Sequence, residues 1–156
     1  MEDLKTLVRR TAQPGRVVWV GLRPGRRAPL VPVERCLAEA RGLEGDHGAS
    51  DKRAVTLVQE EHLAAIGSFL GRGPVAPEDL RRNILVAGIN LLSLRDREVR
   101  IGNAVLHVTG PCAPCSRMEE ALGPGGYGAV RGHGGVTARV VSAGIVALGD
   151  EVTPLG

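Results

Sequence analysis

VRIGNAVLHVTGPCAPCSRM, residues 99–118, joins a pair of strand patterns to the densest cluster of sulfur chemistry in the chain. Residues 99–109 alternate apolar and polar positions around Gly102-Asn103, a dipeptide suited to a tight hairpin. Two paired strands are expected here. Residues 110–118 then read as a turn-rich segment. Pro111-Cys112-Ala113-Pro114-Cys115 falls where a rigid strand gives way to a loop, and sites are commonly built in such places.

Working outward, the same extended character recurs. Residues 16–21 (RVVWVG), 54–58, 82–86 (RNILV) and 136–141 read as strands, and a last one starts within 149–153. Residues 30–33 are extended, with Pro32 placing them at a sheet edge. Residues 36–41 fit strand or helix equally. One convincing helix covers 59–70, with Leu63, Ile66 and Leu70 on one face and Pro74 and Pro77 closing it. Residues 1–13 suit a short helix or an arm. Residues 42–52 (GLEGDHGASDK) read as a polar loop, and the glycine-rich 123–135 as a flexible or tightly turning one. Six to eight short strands against one main helix predict a mostly-β barrel with short peripheral helices, in a single domain spanning 1–156.

Composition agrees. Apolar residues make up 43% of the 156, yet the chain has only one Trp, one Tyr and one Phe. The core must be filled by branched aliphatics, which favour sheets. The 22 glycines and 10 prolines are spread along the chain, which indicates many turns rather than a repeat. A net charge of +3 suits an anionic ligand but is too weak to imply nucleic acid. No leader-like apolar run opens the chain, and none is long enough to span a membrane. Three cysteines make no disulfide framework, so a cytoplasmic location with reduced thiols is expected.

Four clusters could carry chemistry. The Cys112/Cys115 spacing permits metal chelation or a dithiol couple, but equally two small buried hydrophobes. A structural zinc site needs further ligands, and Cys36, His47, His107 and His133 are each isolated. Gly42-Leu43-Glu44-Gly45-Asp46-His47 could line a ligand, or be a tight turn capped by Asp46. Arg81-Arg82-Asn83 could grip a phosphate, or form a solvated edge. Arg131-Gly132-His133-Gly134-Gly135 runs into 136–141, where Val136, Ala138 and Val140 alternate with Thr137, Arg139 and Val141. It could cradle an anion, or be a mobile loop beside an outward arginine.

The order of these segments is more specific than any one of them. GLEGDH, KRAVTL, RRNILVAGINLLSL, IGNAVLHVTGPCAPCSRM and RGHGGVTARVVSAGIVALGDEV resemble, over about residues 17–152, the MOSC domain, the C-terminal module of molybdenum-cofactor sulfurases. The resemblance implies a β-barrel whose functional cysteine is Cys115, in the Pro114-Cys115 pair, with Cys112 an addition to the usual pattern. It implies Cys115 as ligand of a pterin molybdenum cofactor, with reduction of N-hydroxylated compounds as the activity. Gly45, Asp46, His47, Arg53, Arg81, Asn83, Arg131 and Arg139 are the expected cofactor-binding residues, the arginines facing the pterin's phosphate. The alternative it implies is a sulfur carrier bearing a Cys115 persulfide. The expected partners are a small-molecule substrate and a separate electron donor or cysteine desulfurase, with no nucleic acid and no membrane.

Overall fold

The computed structural model describes residues 2–48 and 51–156. In chain order its elements are α1 (Leu4–Arg9), β1 (Gly15–Leu22), β2 (Val31–Pro32), β3 (Arg35–Glu39), β4 (Gly42–Leu43), β5 (Val55–Gln59), α2 (Glu60–Phe69), α3 (Pro77–Leu80), β6 (Ile84–Ala87), β7 (Glu98–Ile101), β8 (Ala104–Pro111), α4 (Ser116–Leu122), α5 (Gly126–Val130), β9 (Val136–Ser142), β10 (Gly144–Ala147) and β11 (Glu151–Leu155).

Seven strands in the order β11-β7-β8-β9-β5-β6-β1 form a sheet that closes where β11 pairs with β1, so the molecule is a β-barrel. The closing seam is short: Gly15 opposes Val152 and Arg16 opposes Glu151. Closure removes the open edges that an unrolled sheet would present. β2 adds to the rim beside β1, as Pro32 requires of an edge. β10, β3 and β4 make a small separate sheet. Near the seam, Arg9 at the end of α1 donates to the Gly156 carbonyl, 2.6 Å.

β5 and β6 are the parallel pair, and α2 and α3 form the crossover between them. This explains the unbroken burial of β5, where Val55, Thr56, Leu57, Val58 and Gln59 are all inside. Val55 and Leu57 face the barrel interior with Val17, Val20, Ile84, Val86, Leu106, Val136 and Ala138. Val58 faces a second core with Leu63 and Ile66 of α2, Leu80 of α3, Met118 and Leu122 of α4, and Ala129 and Val130 of α5. The core is aliphatic throughout, as the shortage of aromatic residues requires.

The hairpin at Gly102-Asn103 forms as its sequence suggests, Ile101 opposite Ala104. Residues 36–39 resolve as strand and 40–41 as a turn, and the barrel has more short helices around it than the sequence indicated. Three expectations are corrected. Residues 123–135 are not a loop throughout: α5 forms inside them, and Gly135 (φ +87) lets the chain turn into β9 where a Cβ would lie 1.9 Å from the Leu57 carbonyl oxygen. Pro77 does not merely follow a helix; it opens α3 as its first residue, where no N–H is needed. Within 42–52, Gly42 and Leu43 pair with β3 as a strand; Met1 of the expected arm and Ala49 and Ser50 of this loop lie outside the described residues.

Candidate functional site

The turn after β1, the entries to β5 and β6 and the segment after β8 come together. In register, Val20 opposes Ile84, Leu57 lies beside Ile84, and Pro111 opposes Val136. The loops leaving these strands enclose a hollow of about 630 Å³. Six arginines line it, Arg23, Arg26, Arg53, Arg81, Arg82 and Arg117, together with His47, Cys112 and Cys115. No carboxylate lines it among the described residues.

Cys115 is exposed, and its extended backbone (φ −128°, ψ 171°) leads directly into α4. Cys112 is buried, 6% exposed, and its N–H donates to the Gly135 carbonyl, 2.8 Å. The two thiols therefore occupy different depths of one wall. The bland reading of a small buried hydrophobe describes Cys112 and fails for Cys115.

Arg82 is a buried cation, 6% exposed, held among the described residues only by carbonyls: Gly134 at 2.7 Å, Leu80 at 2.9 Å and Ala113 at 3.5 Å. Burial pulls its pKa down, and the nearby thiols of Cys112 and Cys115 act against that shift. A buried charge normally has an opposite charge beside it. Arg82 instead has two cysteines and the open hollow.

Arg81 adopts a left-handed backbone (φ 54°) at the end of α3, a conformation costing a non-glycine residue about 1 kcal/mol. That turn aims its guanidinium at the 23–29 turn, where it donates to the carbonyls of Ala28 (2.7 Å) and Gly25 (3.0 Å). Arg117 of α4 reaches the same turn through the Arg26 carbonyl. Two arginines from distant parts of the sequence thus clamp the turn that carries Arg23 and Arg26.

Asp46 and Asn83 have a different employment from the one expected. The Asp46 side chain is fully buried and forms a bidentate pair with Arg23, at 3.0 and 2.9 Å. It also accepts from the N–H groups of Arg23 and Gly48. Burial pushes its carboxyl up, but the Arg23 side-chain and backbone hydrogen bonds and the Arg23 charge outweigh this and hold it low. Asn83 is wholly buried; its amide donates to the Gly21 carbonyl and Asp46 and accepts from Thr56 and Arg23. With these bonds made inside the protein, both residues brace Arg23, and neither lines the hollow. Gly45 (φ +91) supplies the turn that places Asp46.

Among the residues selected from sequence, Cys115, His47, Arg53 and Arg81 come together in the hollow. Arg131, at the end of α5, lines a neighbouring apolar hollow instead. Arg139 lies on β9 opposite His107 and lines neither. Sequence reasoning did not select Arg23, Arg26, Arg117 or Thr56, and it weighed Arg82 only within the Arg81-Arg82-Asn83 stretch; the arginine-rich 23–27 turn was the available signal for the first two. His62 and His133 pack edge to face outside the site, ring centres 4.9 Å apart.

The class is thus a closed β-barrel carrying an exposed thiol on a polycationic hollow. The chain belongs to the MOSC domain family, whose model matches residues 44–153. Similar solved structures include the YuaD protein from Bacillus subtilis, 19% identical with a TM-score of 0.79 over 90% of this chain and 94% of that one. YiiM from Geobacillus stearothermophilus is 20% identical (TM-score 0.75; 92% of this chain, 76% of that one). YiiM from Escherichia coli is also 20% identical (TM-score 0.71; 90% and 70%). Such identities speak for the fold alone. No curated protein matches by sequence.

Proposed function

We propose that this protein binds a pterin-type molybdenum cofactor in the arginine hollow through Cys115 and reduces small N-hydroxylated compounds. The observation that carries the reading is the exposed Cys115 thiol on a wall shared with the carbonyl-held cation of Arg82. The donor set fits such a group. A thiolate is a soft ligand suited to molybdenum, and guanidinium forks suit a phosphate. Cys115 would hold the metal, and Arg53, Arg26, Arg117 and His47 have side chains on the hollow to hold the phosphate and pterin edge. When bound, the group supplies a metal that can accept oxygen from an N–OH function.

The overall reduction takes two electrons and two protons, converts N–OH to N–H and releases water. The electrons come from a separate donor protein. What the chain itself contributes is binding and electrostatics: the cations lower the energy of an anionic ligand set, and the Asp46–Arg23–Asn83 brace keeps one of those cations in place. The test is elemental analysis of protein from a cofactor-producing host. The parent is expected to carry molybdenum, and Cys115→Ser to lose it; a variant with undiminished metal overturns the reading.

A second reading, a sulfur carrier with a persulfide on Cys115 supplied by a cysteine desulfurase, is favoured by one feature: Cys112 stands in the same wall. A stable mass gain of one sulfur on Cys115 after incubation with a sulfur donor, in protein free of molybdenum, would select it.

A further inference from the structure

The three thiols of the chain stand in three electrostatic settings. Cys36 on β3 is half-buried near the charges of Asp46 and Glu44, which add to burial in pushing its thiol up to about 11. Cys112 is buried. Cys115 is exposed, and it opens onto the arginine hollow.

The lining of that hollow is of one sign. Asp46 answers Arg23, but Arg26, Arg53, Arg81, Arg82 and Arg117 have no carboxylate partner among the described residues. Arg82 is the decisive member. It is 6% exposed and lines the hollow together with Cys115. A cation buried so deeply is costly until an anion stands beside it. The two groups are close enough for the charge of Cys115 to act against the fall in the Arg82 pKa. An exposed thiol by itself reacts with any disulfide. One set among unanswered cations discriminates: guanidinium forks match carboxylate and phosphate oxygens, and the field of the hollow repels a cation.

We propose that Cys115 is a thiol–disulfide exchange site for the disulfides of anionic low-molecular-weight thiols, which the arginines of the hollow seat. The Cys115 thiol gives its proton to solvent, and its sulfur attacks one sulfur of the disulfide. A bond from Cys115 Sγ to that sulfur forms as the S–S bond breaks. The departing thiolate takes a proton from solvent. Cys115 is oxidised to a mixed disulfide and the departing half is reduced to a thiol, so the disulfide is the only oxidant required. The retained half lies against the arginines, and the other half leaves on the exposed side. The hollow, about 630 Å³, is within the range for organic ligands, about 300–1,000 Å³. Where the cofactor reading holds, a capped Cys115 offers a metal no thiolate, so exchange and loading exclude each other. The exchange itself needs no molybdenum.

The test is kinetic, on the full chain from a host unable to make molybdenum cofactor. Oxidised glutathione and coenzyme A disulfide are the anionic probes, hydroxyethyl disulfide the neutral one and cystamine the cationic one. Each rate is divided by that of the same disulfide with mercaptoethanol, which removes differences in intrinsic reactivity. At about 10 mM ionic strength, where the Debye length is about 30 Å, an anionic probe is expected to outpace cystamine about tenfold or more, with the neutral probe between them. That advantage should shrink severalfold at about 1 M, where the length is about 3 Å. Peptide mass mapping is expected to place the adduct on Cys115. Arg26→Gln/Arg53→Gln, at two exposed positions, should lower the anionic-to-cationic ratio severalfold. The faster anionic arm distinguishes carboxylate from phosphate recognition. Equal normalised rates, a ratio indifferent to salt or to the double substitution, or an adduct chiefly on Cys36 or Cys112 would each overturn the exchange site.

Discussion

The two walls of the arginine hollow solve the same problem in opposite ways. On one, Arg23 is partly buried and Asp46 answers it with two hydrogen bonds, while Asn83 ties both to the ends of β1 and β5. On the other, Arg82 is more deeply buried and has carbonyls alone. The first wall is complete as it stands. The second carries unbalanced positive charge beside two thiols, so it gains most from an anion. Structural and ligand-facing arginines are thus distinguished by their partners, although in sequence both are simply arginines beside turns.

The largest effect expected from this contrast is on folding. Asp46→Ala leaves Arg23 without its counter-charge and Asn83 without one of its two acceptors, and should cost about 3–5 kcal/mol in urea unfolding. Arg82→Met removes a buried cation as well as its hydrogen bonds, two effects of opposite sign, and should stay within about 2 kcal/mol of the parent. Its visible loss should be molybdenum content. Equal destabilisation by the two substitutions would erase the distinction between the walls.

Acid sharpens the same contrast. The Asp46 carboxyl titrates below its unfolded value of about 3.9. Its contribution is therefore complete above that pH and disappears as pH falls through the depressed folded value. Asp46→Asn should flatten the acid limb of the stability profile, and an unchanged limb would assign acid sensitivity elsewhere.

The smallest effect concerns cysteine. Cys36, on β3, is pushed up to about 11 by burial, with the charges of Asp46 and Glu44 adding to it. Its neutral thiol favours the folded state, and that contribution is present below about 8.5 and fades as pH rises toward 11. At pH 8 iodoacetamide should label exposed Cys115 first and Cys36 slowly, and preferential labelling of Cys36 would contradict its placement.

The barrel was legible wherever periodicity ran long enough. The hairpin around Gly102-Asn103, the buried run 55–58 and the Leu63/Ile66 face of α2 all carried their pattern locally. α4 was missed because attention to the Pro-Cys turn obscured Met118 and Leu122, four apart and both buried. α5 was hidden by its glycines, and β10 is only four residues long. Cys115, His47, Arg53 and Arg81 could be chosen from motif order. The clamp of Arg81 and Arg117 on the 23–29 turn could not, because tertiary packing alone joins residues so far apart in the chain. Asp46 and Asn83 were conspicuous for the right reason, being polar and special, but only their hydrogen bonds reveal that they serve Arg23.

The seam has a practical corollary. β1 runs from Gly15, opposite Val152, to Leu22 beside the arginine turn, and Arg9 touches Gly156. Residues 9 and 156 line a hollow of their own, and neither lines the arginine hollow. A surface tether or fluorophore attached at either would touch none of the arginine hollow's lining residues, which suits this barrel to immobilised measurements of anion capture.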